Sequence, residues 1–234
     1  MAVLIPRRNP LFRPRYEEQI RIAISDIVAK AAVTTEERQR IIRRMIGTQT
    51  AKEAIAGLAP GRGVFGLTVG QFSLVDLLYA TIDHLGPCQI DLSTWSAATT
   101  DVADMVALIA DGRVQSMRMI LDLSLVHRKP EVAKTITERF GRHAIRVTSN
   151  HAKFALLSND RWQVVLKTSM NLNQNPRMED FDLSTDPELF AFLKGFVDRL
   201  FTTEPREYGT AGAAKAAFLR LIERWNREDQ EVPA

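Results

Sequence analysis

The chain has 234 residues, of which 45% are hydrophobic and 25% charged, with a formal charge of +3 and a pI near 9.2. That balance fits a medium-sized domain with a sizeable core, and no run of uncharged apolar residues is long enough to cross a bilayer. The first 20 residues lack the apolar stretch of a secretory leader, so a cytoplasmic protein is expected, while the single Cys88 and the lack of zinc-like Cys/His spacing exclude an internal disulfide and argue against a structural metal.

Charge is unevenly spread. Residues 1–45 hold ten Lys or Arg against five Asp or Glu, including Arg7, Arg8, Arg13, Arg15 and the group Arg38, Arg40, Arg43 and Arg44, and the remainder is near neutral. A basic head on a neutral body suits a polyanion such as nucleic acid, although solvated helix faces carry the same signature. Three prolines in residues 1–15 read as an arm, and the apolar spacing from Ile20 to Val28 predicts a helix over residues 16–32. Thr34 with Glu37, and again Thr50 with Glu53, have capping-box spacing. They predict a short basic helix ending at Ile46 before Gly47, and a third helix ended by Pro60 and Gly61. The pair could form a helix-turn-helix or a plain helical appendage.

From residue 63 strands alternate with helices. FGLTVG reads as a strand, followed by a helix capped by Ser73 and running to about His84. CQIDLSTW is a strand, Thr100 to Ala110 a helix, and Val114 to Val126 contains a further strand. Pro130 opens a helix to Phe140, and HAIRVTS, HAKFALLS and RWQVVLKTSMN are strand candidates. DPELFAFLKGFVDRLF then predicts a helix from Pro187, and residues 210–227 a last amphipathic one. The expected fold is α/β, with a mixed β-sheet flanked by helices and an N-terminal helical extension. Residues 1–60 form the arm and extension, 61–203 the α/β domain, and 204–234 the C-terminal helix and charged tail.

The stretch from Asn150 to Asn171 places His151 and Lys153 two apart at one end and Ser169 and Asn171 two apart at the other. Alternation projects each pair on one face of its strand. All four share a face only if the connecting loop has an odd residue count, such as Ser158 to Asp160, so an odd loop or a bulge is expected.

These residues resemble the signature of the phospholipase D superfamily, HxK, four residues, Asp, six residues, then GSxN, and the resemblance spans about residues 63–202. Asn173, Asn175 and Glu179 also resemble the stretch that follows the motif in small single-motif members. Two positions depart from the pattern: Ser158 stands where the family has its Asp, and Thr168 where it has the glycine, with a hairpin three residues longer. The resemblance implies a phosphodiesterase that needs no cofactor or metal. His151 would attack phosphorus, Lys153, Ser169 and Asn171 would hold the phosphate oxygens, and Glu179 would orient the imidazole. With one complete motif, it further implies a homodimer whose two His151 meet at a two-fold axis.

The basic N-terminal region, with Arg38, Arg40, Arg43 and Arg44 as contacts, and the lack of a membrane segment favour nucleic acid, DNA before RNA, as substrate. The alternative is a weak or inactive module that binds nucleic acid without cleaving it. Lipid-directed transfer would call for an apolar entrance that the sequence does not show. Of the other histidines, His127 with Lys129 spells HxK but meets Pro130 at once, His84 ends a helix, and His143 reads as a strand residue. Trp95, at a strand end, could stack a base, line an acyl pocket or serve packing.

Overall fold

The computed structural model describes residues 50–173, 177–202, 219, 220, 222–225 and 227, together with the backbone of residues 40–42. The arm, the helix over 16–32, Arg38, Arg43, Arg44, Asn175 and most of the helix expected over 210–227 lie outside them.

Among the described residues the strands are β1 (Arg40–Ile42), β2 (Gly63–Thr68), β3 (Cys88–Thr94), β4 (Val114–Asp122), β5 (Ile145–Thr148), β6 (Phe154–Ser158), β7 (Gln163–Thr168) and β8 (Glu179–Ser184). The helices are α1 (Ala51–Ile55), α2 (Leu74–Leu85), α3 (Thr99–Ala110), α4 (Leu123–Arg128), α5 (Pro130–Phe140) and α6 (Pro187–Phe201). One sheet runs β1-β2-β8-β7-β6-β3-β4-β5. It is mixed: β3, β4 and β5 are parallel neighbours, as are β1 and β2, while β6, β7 and β8 join the two groups by antiparallel pairing.

Local chemistry explains most boundaries. Ser73 and Asp76 close a reciprocal capping box at the start of α2, Pro130 stands at the first turn of α5, and Asp186 caps α6 ahead of Pro187. Gly141 ends α5 at φ 79°, where a Cβ would be strained. β3 is buried along nearly its whole length, as expected of a strand covered on both faces.

A core layer forms on each face of the sheet. On one face Leu77, Leu78, Met105 and Ile136 of the helices pack on Ile90, Leu92, Leu166, Phe181 and Leu183. On the other, Phe190, Val197 and Leu200 of α6, with Trp225, cover Ile120, Phe154, Leu156 and Val165. Within this second face Arg118 grips Asp91 through two hydrogen bonds of 2.6 and 2.7 Å and reaches Asp198, which also receives Lys194 at 2.5 Å. Burial of Cys88 pushes its thiol up to about 11, so it is inert at neutral pH.

Two expectations are corrected and one strand is added. Residues 40–42 are a strand beside β2, so the basic helix expected up to Ile46, and with it a helix-turn-helix, is interrupted: pairing with the flank of β2 overrides the local capping signal. Arg40 therefore sits on a strand. EDFDLS, to which the sequence reading assigns no element, is β8, with only Phe181 and Leu183 buried. His143 lies in a short 3₁₀ turn rather than in β5.

Candidate active site

The parallel strands β2, β3, β4 and β5 all end at one edge of the sheet, where β6 and β8 begin and β7 ends. Such an edge is where an open α/β sheet leaves room for a ligand, because the chain turns away from it into loops. His151, Lys153, Ser169, Asn171 and Glu179 all lie there.

The His151 half is pinned from below. Asn150 donates its backbone N–H to Asp122 Oδ2 at 2.8 Å, its side-chain amide to Ser93 Oγ at 2.9 Å, and accepts from the N–H of Ala152 at 3.0 Å. Ser93 Oγ in turn donates to the Ala152 carbonyl. The exposed His151 is thereby anchored just before the start of β6, with Lys153 Nζ 3.3 Å from its Nδ1 and 3.0 Å from its carbonyl oxygen. Trp95, just after β3, stands with its ring centre 5.4 Å from the imidazole, and Arg128 lies 4.2 Å over the same indole.

The other half is built from the end of β7. Ser169 Oγ donates to Glu179 and accepts from the Asp180 N–H, which accounts for both functions of its hydroxyl. Leu172 then bridges to Ala97, exchanging hydrogen bonds with Ser96 and Ala98, so the chain after β7 is sewn to the chain after β3 beside Trp95. Asn171 and Glu179 line a small, solvent-open recess with Thr68, Phe72, Ser73, Met170 and Asn173. Asn171 Oδ1 is buried without a hydrogen-bond partner among the described residues.

The β6–β7 loop does not have the expected odd count. Ser158 pairs with Gln163, leaving a four-residue loop, Asn159 to Trp162. Asn159 causes it: its side-chain oxygen accepts from the N–H groups of Arg161 and Trp162, and its amide donates to the carbonyls of Leu85 and Pro87. The register sets Lys153 opposite Thr168, whose N–H reaches the Lys153 carbonyl at 3.2 Å. In a continued ladder this would separate Lys153 and Ser169 to opposite faces. β6 begins only at Phe154 and β7 ends at Thr168, so the four polar residues occupy irregular chain, where alternation no longer decides direction.

The structure thus brings His151 to Lys153, and Ser169 to Glu179, on neighbouring strand ends. Glu179 meets Ser169, not the imidazole, within the chain. Thr168 is built into the backbone, donating to the Asp180 carbonyl at 2.6 Å and accepting from the Met170 N–H. Ser158 ends β6 at the far edge. Lys129 donates to the Ala97 carbonyl, His84 packs on Trp162, and His127 is exposed on the last turn of α4. Sequence reading missed Ser93, Asp122 and Asn150; the one available signal was Asp122 preceding a helix with cap chemistry, and Asn150 standing next to His151. Among the described residues no group of three His, Cys, Asp or Glu is placed to hold a metal ion, and no helix is long and apolar enough to cross a membrane.

No protein-family model matches the chain, and no curated protein matches it. Several solved structures are similar in fold. NucT from Helicobacter pylori is 14% identical, with 60% of this chain and 96% of that one covered at a TM-score of 0.44. Nuc from Salmonella typhimurium, a phospholipase D family member, is 18% identical, with 58% and 93% covered at 0.43. The polyphosphate kinase from Porphyromonas gingivalis is 16% identical at 0.45, and the match takes in 63% of this chain but only 27% of that one. The family that the motif resembles is therefore also among the structural neighbours.

Proposed function

We propose that the protein is a phosphodiesterase acting on nucleic acid, of phospholipase D type, working through a phosphohistidine in a homodimer and without a bound cofactor. The observation that carries this reading is the fixed His151–Lys153 pair, with Nζ 3.3 Å from Nδ1, at the sheet edge where Ser169 and Asn171 also emerge.

A phosphodiester seated here would place its non-bridging oxygens against the Lys153 ammonium and the Asn171 amide, which meet the charge that develops in the transition state. His151 attacks phosphorus, a P–N bond forms, and the P–O bond to the leaving group breaks. The departing oxygen takes a proton from a second imidazole, the role assigned to His151 of a second copy. Water then attacks the phosphohistidine, gives its proton to that second imidazole, and restores both histidines.

A second reading, a module that grips nucleic acid without cleaving it, is favoured by Ser169: its hydroxyl is engaged with Glu179 and Asp180 rather than turned to the histidine half. Labelled single- and double-stranded DNA and RNA, incubated with chelator and either the parent or His151→Ala, separate the two. Cleavage that persists in chelator and disappears in the variant is expected. Cleavage that needs added metal, or survives the substitution, overturns the phosphohistidine route. Equal gel shifts by both proteins without cleavage give the second reading.

A further inference from the structure

We infer that Arg128, laid on the indole of Trp95, holds the phosphate next to the one being cleaved, so that the site is built for a strand carrying successive phosphates rather than for an isolated phosphodiester. This rests on the reading above and deepens it.

The cation differs from the ion-paired Arg113 and Arg118 in being held, among the described residues, without a carboxylate. Arg113 pairs with Asp83, and Arg118 with Asp91 and Asp198, whereas Arg128 makes no ion pair among the described residues. Its exposed guanidinium is nonetheless held in place. Nε donates to the Ser124 carbonyl at 3.3 Å, one Nη to Ser124 Oγ at 2.8 Å, and the guanidinium carbon sits 4.2 Å from the centre of the Trp95 ring. The other Nη has no hydrogen-bond partner, and no carboxylate lies within 4.0 Å of the guanidinium, among the described residues. A charge that is fixed, exposed and unneutralised binds an anion at little ordering cost, and a guanidinium suits phosphate geometry.

Position supplies the rest. Trp95 is shared by both groups, its ring centre 4.2 Å from the Arg128 guanidinium and 5.4 Å from the imidazole centre, which keeps the cation within reach of a phosphate neighbouring the one that His151 attacks. Each nucleotide brings one more phosphate charge. Trp95 is then a positioning residue, and Arg128 a substrate contact remote from the reacting atoms.

The test compares the parent with Arg128→Gln on two substrates in chelator, a short single-stranded oligonucleotide and bis(p-nitrophenyl) phosphate, which has no neighbouring phosphate. The expected result is KM for the oligonucleotide raised about tenfold, with kcat and all kinetics on the small diester unchanged. Equal losses on both substrates, or no loss on either, overturn the inference. If the parent cleaves neither, the phosphodiesterase reading has failed on its own. Oligonucleotide affinity against salt concentration then decides: weaker binding with a log–log slope shallower by about one in Arg128→Gln supports the contact, and an unchanged slope overturns it.

Discussion

Lys153 is the residue on which the proposed chemistry leans hardest, because among the described residues its ammonium is the one side-chain cation in hydrogen-bond contact with His151. Lys153→Met keeps the length of the stem and removes only the charge. Loss of one preorganised charge at a reacting phosphoryl group costs about 10²–10³ in kcat. The expected outcome is a fall of that size with KM little changed, measured on the small diester to avoid strand-binding effects; a change confined to KM would make Lys153 a docking residue instead. The residue types of the site were readable in the sequence, but their mutual geometry was not. Parity reasoning linked His151 to Ser169 through the loop, and Asn159 decided the loop by satisfying two backbone donors with its own side chain. Ser93 and Asp122 escaped notice because nothing local distinguishes a strand serine or a cap aspartate that reaches Asn150, 57 and 28 positions away, from one that does not.

At the level of elements, helix α6 is held on the sheet by apolar contacts and by the charges of Asp91, Arg118, Lys194 and Asp198. Burial opposes ionisation of Asp198, but hydrogen bonds from Lys194 and Arg118 outweigh it and hold the carboxyl below its usual range. A lowered folded-state value stabilises the fold above the ordinary carboxylate range near pH 4 and loses that contribution as pH falls further. Asp198 is half exposed, so the gain is about 0.5–1 kcal/mol. Urea midpoints of the parent and Asp198→Asn should therefore differ at pH 6 and converge on acidification below pH 4; a constant gap would show that the carboxylate's charge contributes nothing. Elements with strong local punctuation, such as α5 behind Pro130 and α6 behind Asp186 and Pro187, were legible in the sequence. β8 was not, since Glu179, Asp180 and Asp182 mask an alternation in which only Phe181 and Leu183 are buried. β1 was misread because pairing with β2 outweighs a capping signal.

For the whole molecule, the proposed reaction needs two imidazoles, and the described chain offers one at the site. If each site draws on His151 from both copies, adding a roughly tenfold excess of His151→Ala to the parent at fixed parent concentration should depress cleavage about tenfold as mixed dimers form. Unchanged activity in the mixture would mean that one copy suffices. The order of the sheet carries a further consequence for how the molecule comes into being. β2 leaves the ribosome early, yet its antiparallel neighbour is β8, with Thr68 aligned to Glu179, so β2 waits for a partner made more than a hundred residues later. Gly63 shows how close that late union is, since a Cβ there would come within 2.7 Å of the Leu183 carbonyl oxygen. A nascent chain that already displays His151 and Lys153 therefore still lacks the wall formed by Glu179, and competence arrives only when the last strand slots into the middle of the sheet.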